Sequence, residues 1–146
     1  MKTRYRPPSD CVFPNRCQTE LLVTSSRLAL AKPYAVSVIK THSQKLQRHF
    51  SRFATRKYRC KPQQVSFDTD AQLKRLRAAT LEECPVDVCG ETDGQRIWVS
   101  PNVPMSFDEL VGVLVHEFMH NYCKVRGRFM SCHNEHQCMR GLGDKI

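Results

Sequence analysis

Between Ser106 and Arg126, apolar residues crowd almost every side of a helical repeat: Leu110, Val111, Val113, Leu114, Val115, Phe118 and Met119. A helix that is apolar all round is a buried one. Its start is marked by Ser106-Phe-Asp-Glu109, which has capping-box spacing. The Ser106 hydroxyl would accept from the Glu109 N–H, and the Glu109 carboxylate would reach back to the Ser106 N–H. Lys124, Arg126 and Gly127 read as a basic last turn and a stop, so the pattern predicts one helix over roughly 107–126.

Upstream, Ile39, His42, Leu46, Phe50 and Phe53 recur at spacings of three and four. They predict a helix from about Tyr34 to Arg56, its apolar stripe packed under the buried helix. Residues 21–31 fit a short strand or a helix equally well. Gln64–Phe67 reads as a brief strand, and Asp70–Ala79 as a short helix with Leu73, Leu76 and Ala79 inward. Residues 85–89, a Gly-Glu-Thr-Asp-Gly turn at 90–94 and residues 95–100 read as a β-hairpin, with Trp98 in the core. Residues 1–20, Pro-rich and basic, read as an irregular arm. The expectation is one α+β domain over 21–146, with an amphipathic N-terminal helix, a β-hairpin or small sheet, the buried helix and a short C-terminal helical segment.

Composition adds a polarity. The chain of 146 residues carries a net charge of +9, and the excess is uneven. Between Leu21 and Phe67 there are ten Lys or Arg and no Asp or Glu. A solvated face would account for this, and so would a DNA or RNA partner of the 21–67 segment. Lys40, Lys45, Arg48, Arg52 and Arg56 share the face opposite the apolar stripe, and Lys57 and Arg59 extend it as candidate phosphate contacts. The polar start of the chain does not read as a signal peptide, and Leu21–Leu30 is too short and polar to span a membrane, so the expected setting is an intracellular monomer. That setting disfavours disulfides, yet there are eight cysteines. Buried thiols, disulfides and a second, structural zinc all stay open for them, and the absence of a C-x-x-C pair argues against a zinc ribbon.

The buried helix contains His116-Glu-Phe-Met-His120, a HExxH motif. Histidines four apart on a helix project from one face and can give nitrogens to one metal ion, zinc by preference. Glu117 lies close enough to take a proton from a water that the metal acidifies, the arrangement of a metallohydrolase. Read instead as core histidines, His116 and His120 would need other partners to offset their burial. A third ligand must come from elsewhere, and the segment Cys132-His-Asn-Glu-His-Gln-Cys138 offers His133, Glu135 and His136. The metzincin spacing would need Gly at 123 and His at 126, where Cys123 and Arg126 stand; a thermolysin-like use of Glu135 would need a longer gap after His120. Tyr122, Arg126 and Arg128 are the nearby candidates for a second donor to an oxyanion.

Arg96-Ile-Trp-Val-Ser-Pro101, a linker, Leu110–His120 and a later histidine resemble the SprT-like zinc metallopeptidases, the Spartan-type domain, over roughly 96–139. The resemblance implies a zincin-like fold, one catalytic Zn2+ held by His116, His120 and His133, Glu117 as general base, and a protein substrate that can be nucleic-acid-associated. Asn134 stands where the family usually has Gly, and Gln137 where an aromatic is common, which keeps His136 and Glu135 as alternative third ligands. The competing expectation is a non-catalytic, zinc-stabilised nucleic-acid-binding protein. It would close the metal's sphere with two ligands from Cys132, His133, His136 and Cys138, and would have no use for Glu117.

Overall fold

The HExxH helix is the element on which the rest of the molecule is layered. A computed structural model of the chain describes residues 20–84 and 88–142 and the backbone of 3–5. In order these form β1 (Thr3–Tyr5), α1 (Ser25–Thr41), α2 (Ser43–Tyr58), β2 (Val65–Phe67), α3 (Thr69–Arg77) and β3 (Thr80–Leu81). Next come β4 (Gly90–Thr92), β5 (Ile97–Val99), α4 (Phe107–Met119), β6 (Cys123–Val125), β7 (Arg128–Phe129) and α5 (Cys132–Arg140). The architecture is α+β, with five helices and two small sheets among the described residues. No helix there is long and apolar enough to cross a membrane.

The larger sheet has the order β1-β4-β5-β3. β4 is antiparallel to both β1 and β5, and β3 is parallel to β5. One side of α4 packs on this sheet, and α1 and α3 cover other sides of the same helix. Leu110, Val113, Leu114 and Phe118 are fully buried as a result. The capping box forms: Ser106 Oγ accepts from Glu109 N (3.1 Å), and Glu109 Oε1 accepts from Ser106 N (3.2 Å).

Several elements differ from the sequence-based expectation. The single helix from Tyr34 to Arg56 is two helices meeting at His42, and the first begins at Ser25, capped by the Thr24 hydroxyl. Pro33 lies within α1 rather than before it, so residues 25–31 are helix. It is α1 that packs most extensively against α4; the buried stripe of α2, Leu46, Phe50 and Ala54, serves β2, β6 and α5.

The HExxH helix α4 stops at Met119 instead of continuing to 126. Asn121 takes a left-handed backbone (φ 62°), and Cys123–Val125 leaves to pair with β2. Arg126 (φ 51°) and Gly127 (φ 76°) are the two central residues of a tight β6–β7 hairpin. Two successive positive φ angles are what such a turn requires, and Gly127 serves it rather than a helix end.

The expected hairpin is present with a different register. Gly90–Thr92, read as turn, is the strand, paired with Ile97–Val99. The turn tightens around Asp93, whose Oδ1 accepts from the N–H groups of Gln95 and Arg96 (both 2.9 Å). Within the arm expected to be irregular, Thr3–Tyr5 forms the outer strand. The rest of 1–19, with Cys11 and Cys17, and residues 85–87 lie outside the described residues.

The second sheet, β2-β6-β7, joins α2 to the end of α4 through Tyr122. That ring is fully buried, with its centroid 4.9 Å from Phe118, 5.0 Å from Phe67 and 5.8 Å from Phe50. Burial of an aromatic of this size contributes about 1.5–3 kcal/mol, so the junction is held by apolar area before any polar contact is counted.

Candidate metal centre

His116 and Glu117 occupy the last turn of α4, and His120 is its C-cap. The φ of −70° at His120 keeps its side chain on the helix face, while ψ of 133° turns the chain out of the helix directly afterwards. The four-residue spacing therefore acts as the sequence implies. The two Nε2 atoms stand 3.2 Å apart. His136, on the first turns of α5, completes the group: one nitrogen from each of His116, His120 and His136 lies within 4.8 Å of the others, a set that could hold a metal ion. The ring of His136 stacks on His116 and meets His120 edge-on, with centroids 5.5 and 4.7 Å away.

His133, the expected third ligand, is exposed at the start of α5 and stands outside this group. Of the two alternatives, His136 is in it and Glu135 lies behind it. Glu135 Oε1 accepts from His120 Nδ1 (2.9 Å), and Oε2 accepts from the Asn121 N–H (2.6 Å). The Asn121 carbonyl in turn accepts from Gln72 Nε2 (2.7 Å). Nothing local in the sequence marked Gln72 or Asn121; the pairing of Glu135 with His120 had as its one signal a carboxylate beside a candidate ligand.

Burial shapes the protonation of the group. It lowers the pKa of His116 to about 2, helped by the neighbouring His120 and His136. It lowers His120 to about 3, helped by His136 and Arg75. Both imidazoles are therefore neutral at ordinary pH, the form a metal needs. Burial raises Glu135 to about 7, against the Asn121 N–H, which favours the carboxylate. Glu117 is fully buried, its Cγ 3.6 Å from where a Cβ on Gly90 would stand. β4 thus passes directly over the motif's glutamate.

The cysteines divide cleanly. Cys60, Cys123, Cys132 and Cys138 are free thiols, which removes the disulfide reading for these four. Burial pushes Cys123 and Cys138 up to about 12, far from the thiolate a metal binds. Cys132 Sγ lies 3.7 Å from His136 Nδ1 but is not a member of the group.

The candidate oxyanion donors are dispersed. Tyr122 turns its hydroxyl inward, to Gln47 Nε2 at 3.2 Å, while Arg126 and Arg128 are exposed at the β6–β7 turn. His42 is a partly buried helix junction, and His49 Nε2 lies 2.7 Å from the Cys138 carbonyl, tying α2 to α5. Lys40, Lys45, Arg48, Arg52, Arg56, Lys57 and Arg59 all lie on the surface, and Trp98 is buried with the Arg96 guanidinium over its ring.

Comparison with protein-family models, with curated proteins and with solved structures finds no match to this chain.

Proposed function

We propose that the protein is a zinc-dependent peptidase, with His116, His120 and His136 as ligands and Glu117 as general base. The observation that carries this reading is the convergence of three imidazole nitrogens, two from α4 and one from α5, within 4.8 Å of one another, with the fully buried Glu117 following His116 in the chain. The donor set fits the ion: three neutral nitrogens and no thiolate leave one tetrahedral position for the reaction, as catalytic sites do. Zinc held there supplies Lewis acidity, which acidifies a water toward neutral pH and polarises a carbonyl. In this reading Glu117, which follows His116 in the HExxH motif, accepts the proton from the attacking water and returns it to the leaving amine.

A zincin-like, SprT-like domain is the family reading we attach to this site, with His136 rather than His133 in third place. It is supported by strand β5 leading into a capped, buried HExxH helix, and by a short helix that brings the third histidine. The non-catalytic reading needs a fourth protein ligand, and neither Cys132, Cys138 nor His133 joins the group.

The test is Glu117→Gln. It should keep one zinc per chain and lose cleavage of an unstructured protein such as casein by about 100-fold or more, the scale of a general base. Cleavage by the variant at the wild-type rate would remove Glu117 from the chemistry. A wild-type protein that takes up no zinc would remove the reading as a whole.

A further inference from the structure

His120 is the last residue to leave α4, and no further helical turn lies beneath it. Its successor, Asn121, is a non-glycine residue with φ of 62°. Asn takes this left-handed conformation at the ends of helices, where it turns the chain away, and here both of its backbone groups are tied down. Both backbone groups of Asn121 are held by buried side chains from other elements. Its N–H donates to Glu135 Oε2 at 2.6 Å, and its carbonyl accepts from Gln72 Nε2 at 2.7 Å. Glu135 is 1% exposed and Gln72 also 1%. The second carboxylate oxygen of Glu135 takes the Nδ1–H of His120 at 2.9 Å, which fixes the tautomer whose Nε2 lone pair faces His116.

Resting on the metal-site reading, we infer that Glu135 and Gln72 are positioning residues, which together set the second ligand of the site. Helix geometry places the Cα of His120 but does not choose the ring's tautomer or hold the frayed helix end. Glu135 does the first, and it shares the second with Gln72. Because Glu135 precedes His136, α5 carries a ligand and the orienting partner of another ligand on adjacent residues. The docking of α5 therefore assembles both at once. Carboxylate partners of metal-bound imidazoles are worth about 10–100-fold in metal affinity.

The experiment is zinc affinity of the full chain by competition with a chromophoric chelator, for wild type, Glu135→Ala, Glu135→Gln and Gln72→Ala. The visible spectrum of the cobalt-loaded proteins reports ligand geometry. Glu135→Ala should weaken zinc about 10–100-fold and alter the cobalt spectrum. Glu135→Gln keeps one strong acceptor for two donors and should recover part of the loss. Gln72→Ala, which touches no ligand, should weaken zinc several-fold. A role confined to structure would lower the melting temperature of the metal-free variants and leave zinc affinity of the folded protein unchanged, and that result would overturn the inference. If Glu135→Ala does not fold, wild-type zinc affinity in both Glu135→Gln and Gln72→Ala overturns it equally. Absence of zinc from the wild type would instead defeat the peptidase reading, so the two failures are distinct.

Discussion

His133 and His136 sit three residues apart on one short helix, and from spacing alone either reaches the HExxH pair. What separates them is how α5 docks. Asn134 Nδ2 donates to the Tyr58 hydroxyl (2.7 Å), His49 meets the Cys138 carbonyl, and Glu135 takes the Asn121 N–H. These contacts join residues up to 89 positions apart and turn His136 inward and His133 to solvent. That His116 and His120 come together was legible because their spacing is a local property of one helix. Which later histidine joins them was not, because that is decided by tertiary docking. Single alanine substitutions resolve the point. His136→Ala should reduce zinc affinity by more than the ~10–100-fold of an outer partner, whereas His133→Ala should leave it within about twofold of wild type. The reverse order in a chelator competition would restore His133 as the ligand.

The same division between local and distant causes runs through the elements. The capping box at Ser106 and the inward Leu73 and Leu76 of α3 are written within a turn or two, and they appear where expected. Leu46 and Phe50 of α2 are buried as expected, but against β2, β6 and α5 rather than under α4. The end of α4 is not written locally, since β6 exists by pairing with β2, which lies some sixty residues earlier. Arg126-Gly127 suits a helix stop or a hairpin turn equally until that partner is known. β4 was hidden for another reason. Gly90 is a poor strand former by propensity, yet a Cβ there would stand 2.6 Å from Val113 Cγ1 and 3.2 Å from the Trp98 carbonyl oxygen. The glycine permits the close approach of β4 to α4. Gly90→Ala should therefore destabilise the protein by about 1–3 kcal/mol, the usual cost of overpacking. It should also lower the proposed peptidase activity, because the displaced strand rests against Glu117. Urea unfolding measures the first effect, and an unchanged midpoint would show that β4 can shift without cost.

Over the whole molecule, charge is segregated by element. The stretch from Leu21 to Phe67, free of Asp and Glu, folds into α1, α2 and β2, while the candidate metal group is built on α4 and α5. Lys45, Arg48, Arg52 and Arg56 follow one another at three and four residues on the exposed side of α2, opposite Leu46, Phe50 and Ala54. At about 1.5 Å per residue they form a stripe roughly 16 Å long. A row of cations this size suits about four phosphates of a duplex, and phosphate contacts by themselves carry no sequence information. The stripe is also mechanically close to the candidate site, since α2 backs α5 through His49 and Tyr58. If it serves as the phosphate-contacting face that the sequence offers as a candidate, binding to B-DNA should be independent of sequence and weaken with salt. The log–log slope should be about −3 to −4, near 0.9 for each neutralised phosphate. Arg48→Ala combined with Arg52→Ala should make that slope shallower by about 2, without changing zinc affinity. A slope unaltered by the pair would return the stripe to an ordinary solvated surface, and the segregation of charge would then serve solubility rather than recruitment of DNA-bound substrates.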